Sequence, residues 1–203
     1  MTPLDRYLQN RRLAMALPYI PPGGSVLDIG TGDGILFDRL KDCPPNSLGI
    51  DPTLKSETRS RRGIRLIPGY FPADLPPKTG TFDAIVMLAV LEHIPTNQFK
   101  SFSSACHRML RPGGRVIITV PSPQVDNILE ILITLRLVHE MSVEEHHGFD
   151  VRQTPSIFGP PLFRQLERRT FQLGLNNLFV FERSNDPVEL TPARPSVAKS
   201  YAA

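Results

Sequence analysis

Val26-Leu27-Asp28-Ile29-Gly30-Thr31-Gly32-Asp33-Gly34-Ile35-Leu36-Phe37 is the stretch that decides the fold. An apolar run carrying one carboxylate passes through glycines at alternate positions 30, 32 and 34 into a second apolar segment. That is how a buried strand joins a helix through a ligand loop. Glycines there let the backbone turn sharply and approach a ligand where a Cβ would block it. The following helix is expected to aim its free N–H groups at that ligand. The spacing also separates one nucleotide class from another. A dinucleotide fingerprint, G-x-G-x-x-G, requires glycine at 35, where Ile35 stands. Asp28, at the end of the strand, would repel a pyrophosphate and attract an ammonium or sulfonium. A cationic nucleoside therefore fits better than NAD, and the plainer alternative is a glycine-rich turn in an ordinary α/β protein.

Working outward, residues 4–17 carry apolar side chains at 4, 8, 13 and 17, a helical rhythm that Pro18, Pro21 and Pro22 stop. Apolar strands are expected at 25–30, 47–51, 64–68, 82–88 and 115–120. Continuous apolar runs imply strands covered on both faces, hence a parallel sheet between helices. Arg111-Pro112-Gly113-Gly114 reads as a helix stop and a turn into the fifth strand. Residues 171–175 and 178–182 flank Asn176-Asn177, a dipeptide that tolerates positive φ, so an antiparallel hairpin turning at those asparagines should end the sheet. The fold class is α/β.

Length and composition bound the function. A chain of 203 residues suits one α/β domain. The net charge of +3 is modest, and Arg59, Arg61, Arg62 and Arg65, expected on a surface helix and its exit, lack interleaved aromatics. A nucleic-acid partner is therefore not expected. Cys43 and Cys106 form no C-x-x-C pair, and residues 1–6 lack the apolar core of a signal peptide, so the expected compartment is the cytoplasm. The most apolar run, 128–138, has eleven residues and includes Glu130 and Arg136, against about twenty for a membrane span.

Several residues beyond the loop bear on chemistry. Asp51 ends the second strand 21 positions after Gly30, where a carboxylate in this topology accepts both hydroxyls of a ribose; the alternative is a turn aspartate before Pro52. In the ribose reading Pro52 lies against the base. After the third strand, Tyr70 or Phe71 would wall an adenine slot and Asp74 would accept from its amino group, unless these residues simply build a proline-rich surface turn.

Val-Leu-Asp-Ile-Gly-Thr-Gly-Asp-Gly, Gly-Ile-Asp-Pro, Phe-Asp-Ala-Ile-Val-Met-Leu-Ala-Val-Leu-Glu-His-Ile and Leu-Arg-Pro-Gly-Gly-Arg-Val-Ile-Ile-Thr-Val-Pro resemble, in that order, the motifs of class I S-adenosylmethionine-dependent methyltransferases. The resemblance spans residues 24–183 and is nearest to the small-molecule branch. It implies a Rossmann-like, seven-stranded, mostly parallel sheet with a C-terminal antiparallel hairpin and helices on both faces. By the same resemblance Gly30, Thr31, Gly32 and Gly34 cradle the amino-acid part of S-adenosylmethionine, and Asp28 lies near its ammonium. Asp51 holds the ribose, Asp74 sits near the adenine, and Leu88, Ala89 and Val90 floor the pocket under the sulfonium. The sequence Leu-Ala-Val-Leu-Glu-His after the fourth strand lacks the polar Pro-Pro-aromatic tetrad of enzymes that methylate nucleic-acid bases.

Residues 1–183 are thus expected to form one methyltransferase domain, with an insertion at 121–169 as substrate cap and 184–203 as a flexible tail. The segment 128–138 is apolar nearly all round, either packed between neighbours or covering an apolar substrate or dimer contact. His146 and His147 are the candidate general bases, the alternative being surface imidazoles. His139, Glu140, Glu144 and Glu145 add metal-binding residue types, but no ligand spacing such as H-E-x-x-H accompanies them, and no metal is expected. His93 either orients substrate or anchors a turn. The expected reaction is in-line methyl transfer to a small, partly apolar acceptor by a monomer or homodimer. The alternatives are a non-catalytic protein that binds S-adenosylmethionine or S-adenosylhomocysteine and an aminopropyltransferase, the latter disfavoured by the few carboxylates available for a polyamine.

Overall fold

A computed structural model describes residues 3–122 and 149–185. Among these, the strands are β1 (Val26–Ile29), β2 (Leu48–Asp51), β3 (Thr58–Arg59), β4 (Arg65–Pro68), β5 (Phe82–Leu88), β6 (Leu110–Pro121), β7 (Phe163–Phe171) and β8 (Asn176–Arg183). They form one sheet in the order β3-β4-β2-β1-β5-β6-β8-β7. The block β4-β2-β1-β5-β6 is parallel, and β8 and β7 close it antiparallel. Strand order reverses at β1, so the crevice for a ligand opens at the carboxyl ends of β1, β2 and β5.

Period-two alternation sorts the side chains onto two faces. Leu27, Ile29, Ile85, Met87, Val116 and Ile118 face one core, which is covered by Phe102, Ala105 and Cys106 of helix α3 (Phe99–Met109). Val26, Ala84, Val86, Ile117, Leu178 and Val180 face the other. There Leu13 and Ala16 of α1 (Pro3–Ala16) and Leu36 and Phe37 of α2 (Ile35–Arg39) cover them. Helices on both faces and a mostly parallel sheet match the expected class. A fourth short helix, α4 (Thr154–Ile157), precedes β7.

Four local expectations are corrected. The sheet has eight strands rather than seven, because Gly63 at φ 79° and the Ser60 N–H bond to the Ile64 carbonyl fold residues 58–68 into a small hairpin. Arg59 and Arg65 consequently lie on paired strands and not on a surface helix. The terminal hairpin turns at Gln172, Leu173 and Gly174, with φ of 53°, 56° and 87°, and Asn176 and Asn177 are the first residues of β8. Their side chains are buried and hydrogen-bonded, which holds them in the strand. β7 begins at Phe163, inside the span assigned to the insertion. Buried only at Phe163 and Phe171 and exposed between them at Arg164, Arg168 and Arg169, this edge strand has a polar sequence that hides it. The segment 128–138 and residues 139–147 lie outside the described residues.

Candidate functional site

The loop between β1 and α2 is built to be tight. Gly30 has φ 77°, and a Cβ on it would meet Val90 Cγ2 at 2.4 Å, so glycine is required both for conformation and for the approach of the segment after β5. Gly34, at φ 79°, has the place of its Cβ filled by Ser60 and Leu66, so it packs against the β3–β4 hairpin. Gly32 has no atom within 4 Å of its Cβ position, which leaves the loop open on that side.

Five amides of the loop and the start of α2 are engaged within the protein, where free N–H groups are expected. Gly30 and Thr31 N–H donate to the Ile50 carbonyl, Gly34 N–H to the Thr31 carbonyl, Gly32 N–H to Asp51 Oδ2 at 2.8 Å, and Ile35 N–H to Asp33 Oδ1. α2 has only five residues, too few for a substantial macrodipole. An arrangement without a nest of free amides offers a phosphate little, in keeping with the argument against a dinucleotide.

Asp28, Gly30, Thr31 and Leu88 converge on a cavity of about 220 Å³, with Ile35 and Leu36 beside them. Its far wall comes from α1 through Leu8, Gln9, Arg12 and Leu13, a helix expected before the core but not at the site. The signal was present: Arg12 falls four residues after Leu8, on the helix's apolar stripe, where a cation is out of place unless it has a partner. Its Nε donates to Asn176 Oδ1 at 3.2 Å. Burial disfavours its charge, and the carboxylate of Glu92, in the 3-10 turn Leu91–His93 after β5, restores part of it.

Asp28 is the site's most perturbed group. Burial pushes its carboxyl up to about 7, the Thr31 hydroxyl offsets part of the rise, and the Asp51 carboxylate adds to it. Thr31 Oγ1 is itself buried without a hydrogen bond of normal geometry. The cavity wall thus holds a reluctant anion, an unsatisfied hydroxyl and, opposite, a half-buried cation.

The remaining expected residues lie apart from this cavity. Asp51 is buried at the end of β2, and besides Gly32 it accepts from Thr53 N–H at 2.8 Å and Thr53 Oγ1 at 2.6 Å, so it braces the loop and the following turn. Pro52 next to it is exposed. Phe71 belongs to the core, edge-on to Phe102 with centroids 5.1 Å apart. Asp74 is exposed and folded onto its own turn: Oδ2 accepts from Tyr70 N–H at 2.7 Å, in the space where a Cβ of Gly69 would fall. Tyr70 stays exposed at that edge. Ala89, in the expected floor, takes φ 59°, held by its N–H bond to the Thr119 carbonyl. Such strain in a non-glycine residue collects at functional sites. His146 and His147 lie outside the described residues.

A family model described as a methyltransferase domain matches residues 4–171. The chain belongs to the methyltransferase-domain family. Among curated relatives of this domain, the ubiquinone biosynthesis O-methyltransferase of Dechloromonas aromatica (strain RCB) is 30% identical over 136 residues, 63% of this chain and 57% of the relative. A probable S-adenosylmethionine-dependent methyltransferase of Mycolicibacterium smegmatis is 30% identical over 156 residues, 72% and 60% of the two chains. The matched part of the methyltransferase domain thus spans about three fifths of these relatives' length. Among solved structures, the N-methyltransferase NodS from Bradyrhizobium japonicum WM9 superposes with TM-score 0.60 at 16% identity, covering 90% of this chain and 98% of that one. The magnesium protoporphyrin IX methyltransferase of Synechocystis PCC 6803, solved with bound SAM, gives TM-score 0.59 at 16% identity, covering 88% and 81%. At these identities the structural matches establish the shared fold of the methyltransferase domain. Among its described residues no helix is long and apolar enough to cross a membrane.

Proposed function

We propose that this methyltransferase domain transfers the methyl group of S-adenosylmethionine to a small-molecule acceptor. The observation that carries the reading is the pairing of Asp28 and Arg12 across one small cavity beside an open glycine loop. S-adenosylmethionine ends in an amino acid, and these two walls present the complementary charges: Asp28 for the ammonium, Arg12 for the carboxylate. Thr31 Oγ1 supplies the remaining hydrogen bond. The volume is below the ~300–1,000 Å³ of pockets that enclose whole drug-sized ligands. It suits the amino-acid end, with the nucleoside lying along the open carboxyl edge past Gly32 toward Asp51 and Tyr70.

The bound cofactor supplies an activated methyl on a sulfonium. The chain's own part is alignment and exclusion of water, which suffice for much of an in-line displacement. Leu88 and the strained Ala89 carry no charge and would lie beneath the sulfonium, leaving it nothing to pair with as its charge disperses. Asp51 and Thr53 hold the loop from below. In this reading His146 and His147 take the acceptor's proton, and the acceptor is partly apolar. The names of the relatives, an O-methyltransferase and a S-adenosylmethionine-dependent methyltransferase, support the same class.

Titration calorimetry with S-adenosylhomocysteine tests the reading. Wild type should bind, and Arg12→Ala should bind at least about tenfold more weakly, the loss of one charge-assisted bond. Absence of binding by wild type would overturn it.

A further inference from the structure

Arg12 reaches the cavity from α1, yet its orientation is set from the far end of the chain. Asn176 is the first residue of β8 and only 1% exposed. Alternation along β8 turns Asn176 to the same face as Leu178 and Val180, the face that α1 covers, while Asn177 turns to the other. Asn176 Oδ1 accepts from Arg12 Nε at 3.2 Å, and Asn176 Nδ2 donates to Gln172 Oε1 at 2.7 Å. Arginine only donates, so the amide's direction is determined: its oxygen faces Arg12 and its nitrogen faces Gln172. Gln172 occupies the left-handed region at φ 53°, in the turn that brings its amide back over Asn176. Asn176 is a neutral acceptor on Nε, so it holds the guanidinium without adding a second negative charge to the one that Glu92 already sets against it.

We infer that Asn176, buttressed by Gln172, is a positioning residue that holds Arg12 for the carboxylate of the cofactor's amino-acid end. This rests on the reading of the cavity as an S-adenosylmethionine site. It makes the antiparallel hairpin part of the proposed cofactor site: Gln172 and Asn176, on either side of Gly174, decide how well α1 presents its cation.

The test compares two ligands that differ in the amino-acid end. S-adenosylhomocysteine carries the carboxylate; 5′-methylthioadenosine keeps the nucleoside and lacks it. Asn176→Ala should weaken S-adenosylhomocysteine about tenfold and leave methylthioadenosine unchanged. Asn176→Asp keeps the size of the side chain and an acceptor beside Nε but pairs the guanidinium's charge, and it should weaken S-adenosylhomocysteine further, again selectively. Wild-type affinity for S-adenosylhomocysteine in Asn176→Asp, or equal losses for both ligands in either variant, would overturn the inference. Arg12→Ala, measured alongside, separates the two levels: if it too binds as wild type, the reading of the cavity fails; if it alone is impaired, only the role of Asn176 fails.

Discussion

In its proposed role Asp28 pits stability against binding. Its carboxyl is held at about 7 by burial, well above its ordinary value, so the ligand-free fold favours the protonated form. Between pH 4 and pH 7 the folded state holds a proton that the unfolded chain releases, and stability falls as pH rises through that window. At ~1.4 kcal/mol per decade the loss is at most roughly 4 kcal/mol. Asn at 28 removes the cost: thermal melts of Asp28→Asn at pH 8 should lie above wild type, while its affinity for S-adenosylhomocysteine falls. An ammonium needs the carboxylate, so wild-type affinity should rise as pH increases from 6 to 8, with proton release detectable as a dependence of binding heat on buffer ionisation enthalpy. Gly30 makes a second prediction at this scale. Alanine there meets Val90 Cγ2 and a positive φ together, and should lower stability by about 2–3 kcal/mol in denaturant melts.

At the scale of elements, the turn Gln172–Gly174 is strained and exposed at its tip, where Leu173 is fully accessible in the left-handed region. Asn tolerates that region better, so Leu173→Asn should leave stability unchanged or raise it by about 0.5 kcal/mol in the same melts. This turn also marks where sequence patterns stop being informative. The buried strands β1, β2, β4, β5 and the end of β6 were legible because a two-sided core demands uninterrupted apolar runs. β7 was not, because an edge strand that buries only its ends reads as a polar loop. Asn176-Asn177 looked like a turn because asparagine tolerates positive φ, whereas here tertiary hydrogen bonds to Arg12 and Ser122 keep both in the strand. In the cavity wall, Asp28 and Gly30 were legible from the strand-loop-helix grammar, and Thr31 and Leu88 from the resemblance to methyltransferase motifs. Arg12 left only a cation on an apolar stripe as its trace, because the partner that explains it lies 164 residues away. Of the residues expected around an adenine, Phe71 packs against Phe102 in the core and Asp74 accepts from Tyr70 N–H in its own turn, contacts that the sequence does not reveal.

At the scale of the molecule, the proposed cofactor site joins three parts of the chain far apart in sequence: α1, the loop after β1 and the terminal hairpin. A ligand bridging them should stabilise the fold as a unit, by RT ln(1 + [L]/Kd), roughly 2.7 kcal/mol at a hundredfold excess over Kd. The acceptor side is addressed by His146→Ala and His147→Ala together. If these residues take the acceptor's proton, labelled-methyl transfer into a metabolite extract should drop at least about a hundredfold with unchanged affinity for S-adenosylhomocysteine. Undiminished transfer would remove the histidines from the chemistry and leave the cavity's assignment intact. The most direct test of the central claim, that Asp28 and Arg12 hold the amino-acid end of S-adenosylmethionine, is a calorimetric titration of the wild-type chain with S-adenosylmethionine at pH 8. One-to-one binding with a Kd of about 1–100 micromolar is predicted. No binding heat, at two temperatures, with ligand at about one millimolar would contradict it.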